Sequence, residues 1–392
     1  MHPKTSDPSA MMIALIGMAS LATAMGVGRF AFTPLMPLMQ AHGTLSFSQG
    51  AWLAGANYFG YLVGALVCIA RRPEPQRGVC AALVAVAVFT LAMGVTSRFD
   101  LWLALRFAAG VASACALVSV SAWALPALSQ CGRAGLSGCV FGGVGIGIAL
   151  VGSAGLAAGV ARTEPATVWL MLGTASAVVA LAAWSLMGRP AIHGPPVVSS
   201  RVRFGSGEFR LILCYGIFGF GYIIPATFLP AMAREWVDDP AVFGLAWPVF
   251  GAMAAISTVL GAATLRHSSP HRIWISALLL MTVGVLAPVL MRNLGSLLLA
   301  AVCVGGTFMV ITMAGMLEAR RFKQANRLAA AMTASFATGQ LLGPVAVGLS
   351  ASLGVPSIAG PSLLAAAGLL VSAWLLTSQG KGNSDLGTSA IG

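Results

Sequence analysis

The chain has 392 residues, is 58% hydrophobic and 8% charged, and carries a net charge of +12 with a pI near 10.2. A soluble domain carries about 25% charged residues, so this chain lacks the charge to cover a water-facing surface. It reads as an all-α membrane protein. The basic balance does not point to nucleic acid, because lysines and arginines sit in short loops between apolar runs, the positive-inside pattern of membrane proteins.

With about 20 residues needed per crossing, the apolar runs separate into twelve spans, near 11–38, 47–70, 78–96, 100–127, 134–160, 167–187, 209–232, 242–265, 273–291, 296–317, 328–352 and 359–378. The N-terminus has the outline of a secretory leader (Lys4, an apolar run, then Ala22-Thr23-Ala24), but the internal repeat below includes this segment, so it is read as span 1. One long polar linker, 188–208, divides the spans six and six. The expected organisation is a half over 1–187, the linker, a half over 209–378 and a tail over 379–392.

Span 1 holds GVGRFAFTPLMPLM, Gly26–Met39. Arg29 is its one formal charge, with 18 uncharged residues before it from Met11 and ten after it to Met39. A charge at that depth costs roughly 2.5–3.5 kcal/mol on insertion scales and normally faces a cavity or partner. Arg29 is read as the anion anchor of a substrate cavity. The plainer alternative is a structural arginine bonded to helix ends or backbone carbonyls.

Span 2 adds Asn57, Tyr58 and Tyr61, and span 7 adds Tyr215 and Tyr222, seven residues apart on one helical face. These are the only four tyrosines in the chain. Tyr215 lies near a span end and suits an interfacial belt, whereas Tyr58, Tyr61 and Tyr222 lie deeper and are read as cavity lining. Span 4 opens LALRFAAGVASA; its Arg106 either lines the cavity, snorkels to the interface or ties neighbouring helix ends together. Span 5 is glycine-rich over 138–155, which permits close helix approach. Span 10 reads GGTFMVITMAGMLEARR: Thr307 and Thr312 either face the cavity or bond their own helix, and Glu318, at the span end beside Arg320 and Arg321, suits an ion pair or gate latch. In span 11, Gln340 is a candidate cavity donor, and Gly339, Gly343 and Pro344 suit close packing and a bend.

Two internal matches support a duplicated plan. Gly26-Val27-Gly28-Arg29, Pro37 and Met39 align with Gly219-Phe220-Gly221-Tyr222, Pro230 and Met232 at an offset of 193. Trp52 and Arg71 align with Trp247 and Arg266 at 195. Spans 1 and 7 are then equivalent elements of two parallel six-helix halves, with substrate between them near the midplane. In that alignment Arg29 corresponds to Tyr222. Counting lysines and arginines puts sixteen on the side of the termini and four (Arg98, Arg162, Arg234, Arg292) on the other, so both termini are expected inside.

No Asp or Glu falls deep in a span, all five histidines lie outside the spans, and there is no phosphate-binding loop, zinc spacing or nucleophile–base pair. Enzymatic chemistry, a primary pump and metal transport are therefore not expected, and no cofactor is implied. The seven cysteines, without a CxxC pair, read as small packing residues.

The twelve-span plan resembles the major facilitator superfamily. GVGRFAFTPLMPLM, CYGIFGFGYIIPATFLPAMAR (Cys214–Arg234) and GGTFMVITMAGMLEARR resemble its YbfB/YjiJ subgroup. The resemblance implies the major facilitator fold, two pseudo-symmetric six-helix halves, a bacterial inner-membrane location and a monomer. Arg106 in RFAAG is similar to the span 4 arginine of many members. After span 2 the superfamily usually has GxLaDRxGRR, whereas Gly64–Arg72 reads GALVCIARR, with Cys68 at the acidic position, so the usual charge latch involving this end cannot form as such. Arg71, Arg266, Glu318 and Arg320 remain the candidate gating charges.

The expected activity is secondary transport by alternating access of a small organic anion. Arg29 would pair with its carboxylate or similar group, with Asn57, Tyr58, Tyr61, Arg106, Tyr222, Thr307 and Gln340 as the surrounding set. A coupling ion, proton or other, is left open. The rival reading is an exporter of amphipathic drugs or toxic metabolites, to which the 18 methionines and the phenylalanines of span 7 are suited. A non-transporting sensor would need an output domain, for which linker and tail are too short.

Overall fold

The computed structural model describes residues 9–71, 74–187, 204–236, 239, 244–265, 267–322, 324–353 and 358–382. Twelve helices among them are long and apolar enough to cross a membrane: Ala10–Ala41, Phe47–Cys68, Pro75–Val95, Phe99–Gln130, Ala134–Val160, Pro165–Leu186, Ser206–Arg234, Ala246–Thr264, Pro270–Leu290, Leu294–Ala319, Arg327–Ala351 and Ala359–Thr377. These are spans 1–12. A helix satisfies its backbone internally, which hydrocarbon requires of a spanning segment. Most of the linker, 188–203, and the tail from 383 lie outside the described residues.

Local chemistry sets several span ends. The Ser9 hydroxyl accepts from the Met12 N–H at 3.3 Å to open span 1. The Glu74 carboxylate accepts from the N–H groups of Gln76 and Arg77 at 3.1 and 2.8 Å ahead of span 3, with Pro75 at its first position. The Asn293 side chain accepts from Ser296 N–H at 2.9 Å before span 10. Gly43 and Gly132, at φ +69° and +66°, release the chain after spans 1 and 4.

The packing follows the repeat. In the first half span 1 packs on span 5, span 2 on span 4 and span 3 on span 6; in the second, span 7 packs on span 11, span 8 on span 10 and span 9 on span 12. The halves meet through spans 5 and 8, spans 2 and 11, and spans 1 and 7. Small residues bring spans 5 and 8 close: a Cβ on Gly251 would lie 2.6 Å from the Ala149 Cα, and one on Gly152 would lie 2.8 Å from the Pro248 N. Lipid tails are as apolar as leucine, so such close contact, rather than hydrophobic exclusion, holds the bundle together. Span 7 is the most interior, whereas Leu181, Trp184, Leu260, Leu364 and Trp374 face outward, as lipid contact demands.

Span 1 is not one continuous α-helix. Ala10–Leu21 and Phe32–Ala41 are α-helical, and Ala22–Phe30 winds between them as a π-helix with Arg29 near its end. The wider i→i+5 turn displaces the carbonyl register, and such insertions gather at functional sites.

Candidate functional site

Arg29 projects from the π-helix and is 3% exposed. Three aromatic rings surround its guanidinium: the Cζ stands 4.1 Å from the centroid of Tyr61, 5.1 Å from Phe30 and 5.2 Å from Tyr58. Ring faces attract a cation by about 0.5–2 kcal/mol each. The Arg29 Nε and Nη2 are buried without a hydrogen-bond partner among the described residues. Those two nitrogens form one edge of the planar fork, the edge that receives a carboxylate side-on.

The backbone beneath Arg29 is held from neighbouring spans. Arg106, 2% exposed, donates from Nη1 to the Gly28 carbonyl at 3.3 Å and from Nη2 to the Arg29 carbonyl at 2.9 Å. Asn57 Nδ2 donates to the same Gly28 carbonyl at 3.2 Å and to the Arg106 carbonyl at 2.8 Å. The Arg106 guanidinium also stands 5.4 Å from the Phe32 ring and 6.0 Å from Trp169. It neither snorkels nor reaches an interface; its two Nη groups are spent on carbonyls of span 1. Asn57 Oδ1 has no partner among the described residues.

Across the boundary between the halves, Tyr58 hydrogen-bonds Thr227 at 3.0 Å, linking span 2 to span 7. Tyr222, the repeat partner of Arg29, lies within electrostatic reach of Arg29, Tyr58 and Tyr61. Its hydroxyl accepts from Gln340 Nε2, and Gln340 Oε1 has no partner among the described residues. The Tyr222 ring is sandwiched in parallel between Phe308 at 5.5 Å and Phe336 at 5.6 Å. Phe250 extends the stack beyond Phe308 at 5.7 Å, and Phe218 packs tilted against both Tyr222 at 5.5 Å and Phe336 at 5.1 Å.

The structure therefore brings together Arg29, Asn57, Tyr58, Tyr61, Arg106, Tyr222 and Gln340. Thr307 does not contribute a free hydroxyl, since its Oγ1 donates to the Cys303 carbonyl of its own helix at 2.6 Å. Thr312 likewise bonds the Phe308 carbonyl at 2.8 Å. Tyr215 is no belt residue: it is 2% exposed, donates to the Thr312 carbonyl at 3.4 Å and packs edge-on against Trp274. Of the gating candidates, Glu318 is buried at the end of span 10 and pairs with Arg321 at 3.2 Å, while Arg320 is exposed. The side chain of Arg71 and all of Arg266 lie outside the described residues. Sequence reasoning passed over Phe30, Thr227, Phe308 and Phe336. The one signal for Thr227 was its being the sole threonine of span 7.

The named contacts between halves lie at the middle of the bundle or toward the end opposite the termini. There the Arg234 Nη1 donates to the Pro37 carbonyl at 2.9 Å, Phe47 meets Phe228 at 5.7 Å, and Gly348 approaches Ala51. A cavity of about 250 Å³ sits beyond them, lined by Pro34, Pro37, His42, Arg162 and Pro230.

Over residues 21–377 the chain matches the family described as uncharacterised MFS-type transporter YbfB, MFS denoting the major facilitator superfamily. No curated protein sequence matches it. Among solved structures it is similar to a crystal structure of a mutant nucleoside transporter NupG, with a TM-score of 0.71 and 12% identity over 93% of this chain and 99% of that one. At that identity the likeness is one of fold. The chain belongs to the YbfB-type family of major facilitator transporters, and is thus a multi-pass membrane transporter of small molecules rather than an enzyme.

Proposed function

We propose that this transporter moves a small organic anion by alternating access, with Arg29 as the anion anchor. The observation that carries this reading is the Nε–Nη2 edge of a buried guanidinium, left without a hydrogen-bond partner among the described residues. The ion pairs Arg77–Glu74, Arg98–Asp100 and Arg321–Glu318 do not involve Arg29. A bound carboxylate supplies both the missing hydrogen bonds and the missing charge.

In this reading Arg106 and Asn57 are positioning residues that fix the Gly28–Arg29 backbone. Tyr58, Tyr61, Tyr222 and Gln340 set the shape and polarity of the space shared by the halves. With the termini inside, as the arginine count gives, the conformation is closed toward the outside. Transport then requires the Tyr58–Thr227, Arg234–Pro37 and Phe47–Phe228 contacts to part while the termini side closes.

The test is a thermal-shift screen of purified protein against small organic acids, run on wild type and Arg29→Lys. Nucleosides serve as neutral controls and hydrophobic cations as amphipathic ones. Lysine keeps the charge and loses the planar fork. A ligand at a hundredfold excess over Kd stabilises by about 2.7 kcal/mol, a readable shift. Shifts with a few acids that shrink or disappear in Arg29→Lys support the reading; equal shifts in both proteins refute it. One observation favours the second reading, export of amphipathic compounds: Phe250, Phe308, Tyr222, Phe336 and Phe218 form one aromatic cluster suited to adaptable apolar contact. Shifts confined to hydrophobic cations would place that reading first.

A further inference from the structure

The seam between spans 2 and 4 has a register that leads to a second site. Gly60, Gly64 and Cys68 recur at four-residue steps along one face of span 2. They lie against Phe107, Val111 and Cys115 of span 4, each pair separated by 47 positions. The two spans run in the same direction, so the offset persists along the seam. At the first two positions glycine lets the backbones approach: a Cβ on Gly60 would lie 3.0 Å from the Phe107 Cα, and one on Gly64 would lie 2.8 Å from the Val111 Cα. At the third position both partners carry one heavy atom beyond Cβ, and the Cys68 and Cys115 sulfurs stand 3.3 Å apart. The close approach fixed by two glycines thus presses two thiols together.

Both cysteines line a groove of about 520 Å³ among spans 2, 3 and 4, with Val67, Ala85, Phe107 and Val111 on its walls. Its lining is almost wholly apolar. Cys68 is 4% exposed and Cys115 is half-buried, so Cys115 is the sulfur that a reagent in the groove meets first.

We propose that Cys68 and Cys115 form a dithiol–disulfide modification site whose oxidant is a lipid-soluble organic hydroperoxide. The Cys115 sulfur attacks the distal peroxide oxygen; an S–O bond forms, the O–O bond breaks, and the alkoxide leaves as an alcohol with the thiol proton. The Cys68 sulfur then displaces the hydroxyl of that sulfenic acid; the S–S bond forms, the S–O bond breaks, and the hydroxyl leaves as water with the Cys68 proton. Two thiols are oxidised by two electrons and one hydroperoxide is reduced. The bridge ties span 2 to span 4 along the seam that carries Asn57 and Arg106, the two residues holding the backbone at Arg29. The site rests on the packing of the N-terminal half and is independent of what the transporter carries.

The experiment treats the full chain, in lipid nanodiscs, with cumene hydroperoxide, alkylates the remaining thiols and maps the peptides by mass spectrometry. The background is Cys131→Ser/Cys139→Ser, which removes the two exposed thiols. The expected product is a Cys68–Cys115 linked peptide that dithiothreitol separates. In Cys68→Ser, Cys115 stops at a sulfenic acid that dimedone captures; in Cys115→Ser, Cys68 stays reduced. Recovery of both thiols alkylated after treatment, or oxidation of Cys115 with Cys68 still free in the parent protein, overturns the proposal. Because the decisive measurement is made on native Cys68 and Cys115, it does not depend on the folding of either variant at those positions.

Discussion

The Thr33 hydroxyl donates to the Ala226 carbonyl at 3.5 Å, and the two residues are 193 positions apart. That spacing is the offset that superposes GVGR of span 1 on GFGY of span 7. Residues at equivalent positions of two repeats touch only where the axis relating the repeats passes between them. The axis therefore runs between spans 1 and 7, one helical turn from Arg29 on one side and from Tyr222 on the other. A symmetric frame thus carries an asymmetric pair at equivalent positions, a guanidinium in span 1 and a phenol in span 7.

Replacing Arg29 by lysine removes one of two parallel charge-assisted hydrogen bonds to a carboxylate, each worth about 1.5–3 kcal/mol. Affinity for the ligand found by screening falls between about tenfold and a hundredfold, with 1.4 kcal/mol per tenfold. Isothermal titration of both proteins checks this; an unchanged Kd removes Arg29 from the site.

Arg106→Met leaves the Arg29 carbonyl without its side-chain donor and the Gly28 carbonyl with Asn57 alone. A buried group left unsatisfied costs about 1–3 kcal/mol. The variant melts at lower temperature in detergent and loses the ligand shift although it keeps Arg29. Arg106→Lys, able to reach one carbonyl, falls between wild type and Arg106→Met. A methionine variant that keeps both stability and the full ligand shift shows that the clamp has no role.

Tyr58→Phe deletes the bond to Thr227 between the halves. At a net value of about 1 kcal/mol the balance moves roughly fivefold toward the state open at the end opposite the termini. Phe47→Cys, at the Phe47–Phe228 contact, reports this through its labelling rate with a water-soluble maleimide. Equal labelling rates with and without the Tyr58→Phe substitution dismiss the bond as a latch.

Gly251→Leu forces a side chain into the Ala149 backbone, where even a Cβ would lie 2.6 Å from the Cα. Overpacking of this kind costs about 1–3 kcal/mol, and here the strain falls between the halves. The expected outcome is a lower melting temperature with faster labelling at position 47. Gly306→Leu, at a glycine with no atom nearer than 3.6 Å to its would-be Cβ, is the tolerated control. If the two variants behave alike, spans 5 and 8 do not approach as closely in the bilayer.

The twelve spans were legible because each crossing must be long and apolar, a property carried by the segment itself. The depth of Arg29 was legible for the same reason. What surrounds Arg29 was not, because Tyr61, Tyr58 and the Gly28–Arg106 bonds join residues 29 to 78 positions apart, and no local pattern encodes them. Arg106 shows the difference well: its position in span 4 fits a ligand contact or a tie between helices equally, and only the direction of its Nη groups assigns them to carbonyls. Thr307, for which a bond to its own helix is one of two readings, and Tyr215, read as a belt residue, take their positions for a common reason. A hydroxyl or phenol in a span needs a partner, and each found a backbone carbonyl nearby instead of a cavity or an interface.

By itself, then, the sequence determined the membrane class, the number of crossings, the duplicated halves and the presence of a costly cation at mid-depth. All of these follow from hydropathy and periodicity summed along single segments. The tertiary structure alone decided which polar atoms are consumed by the scaffold and which stay open, and which cysteines meet. The reason is geometric: a π-turn in span 1 and a glycine row between spans 2 and 4 set distances of a few ångströms between residues that the chain keeps tens of positions apart.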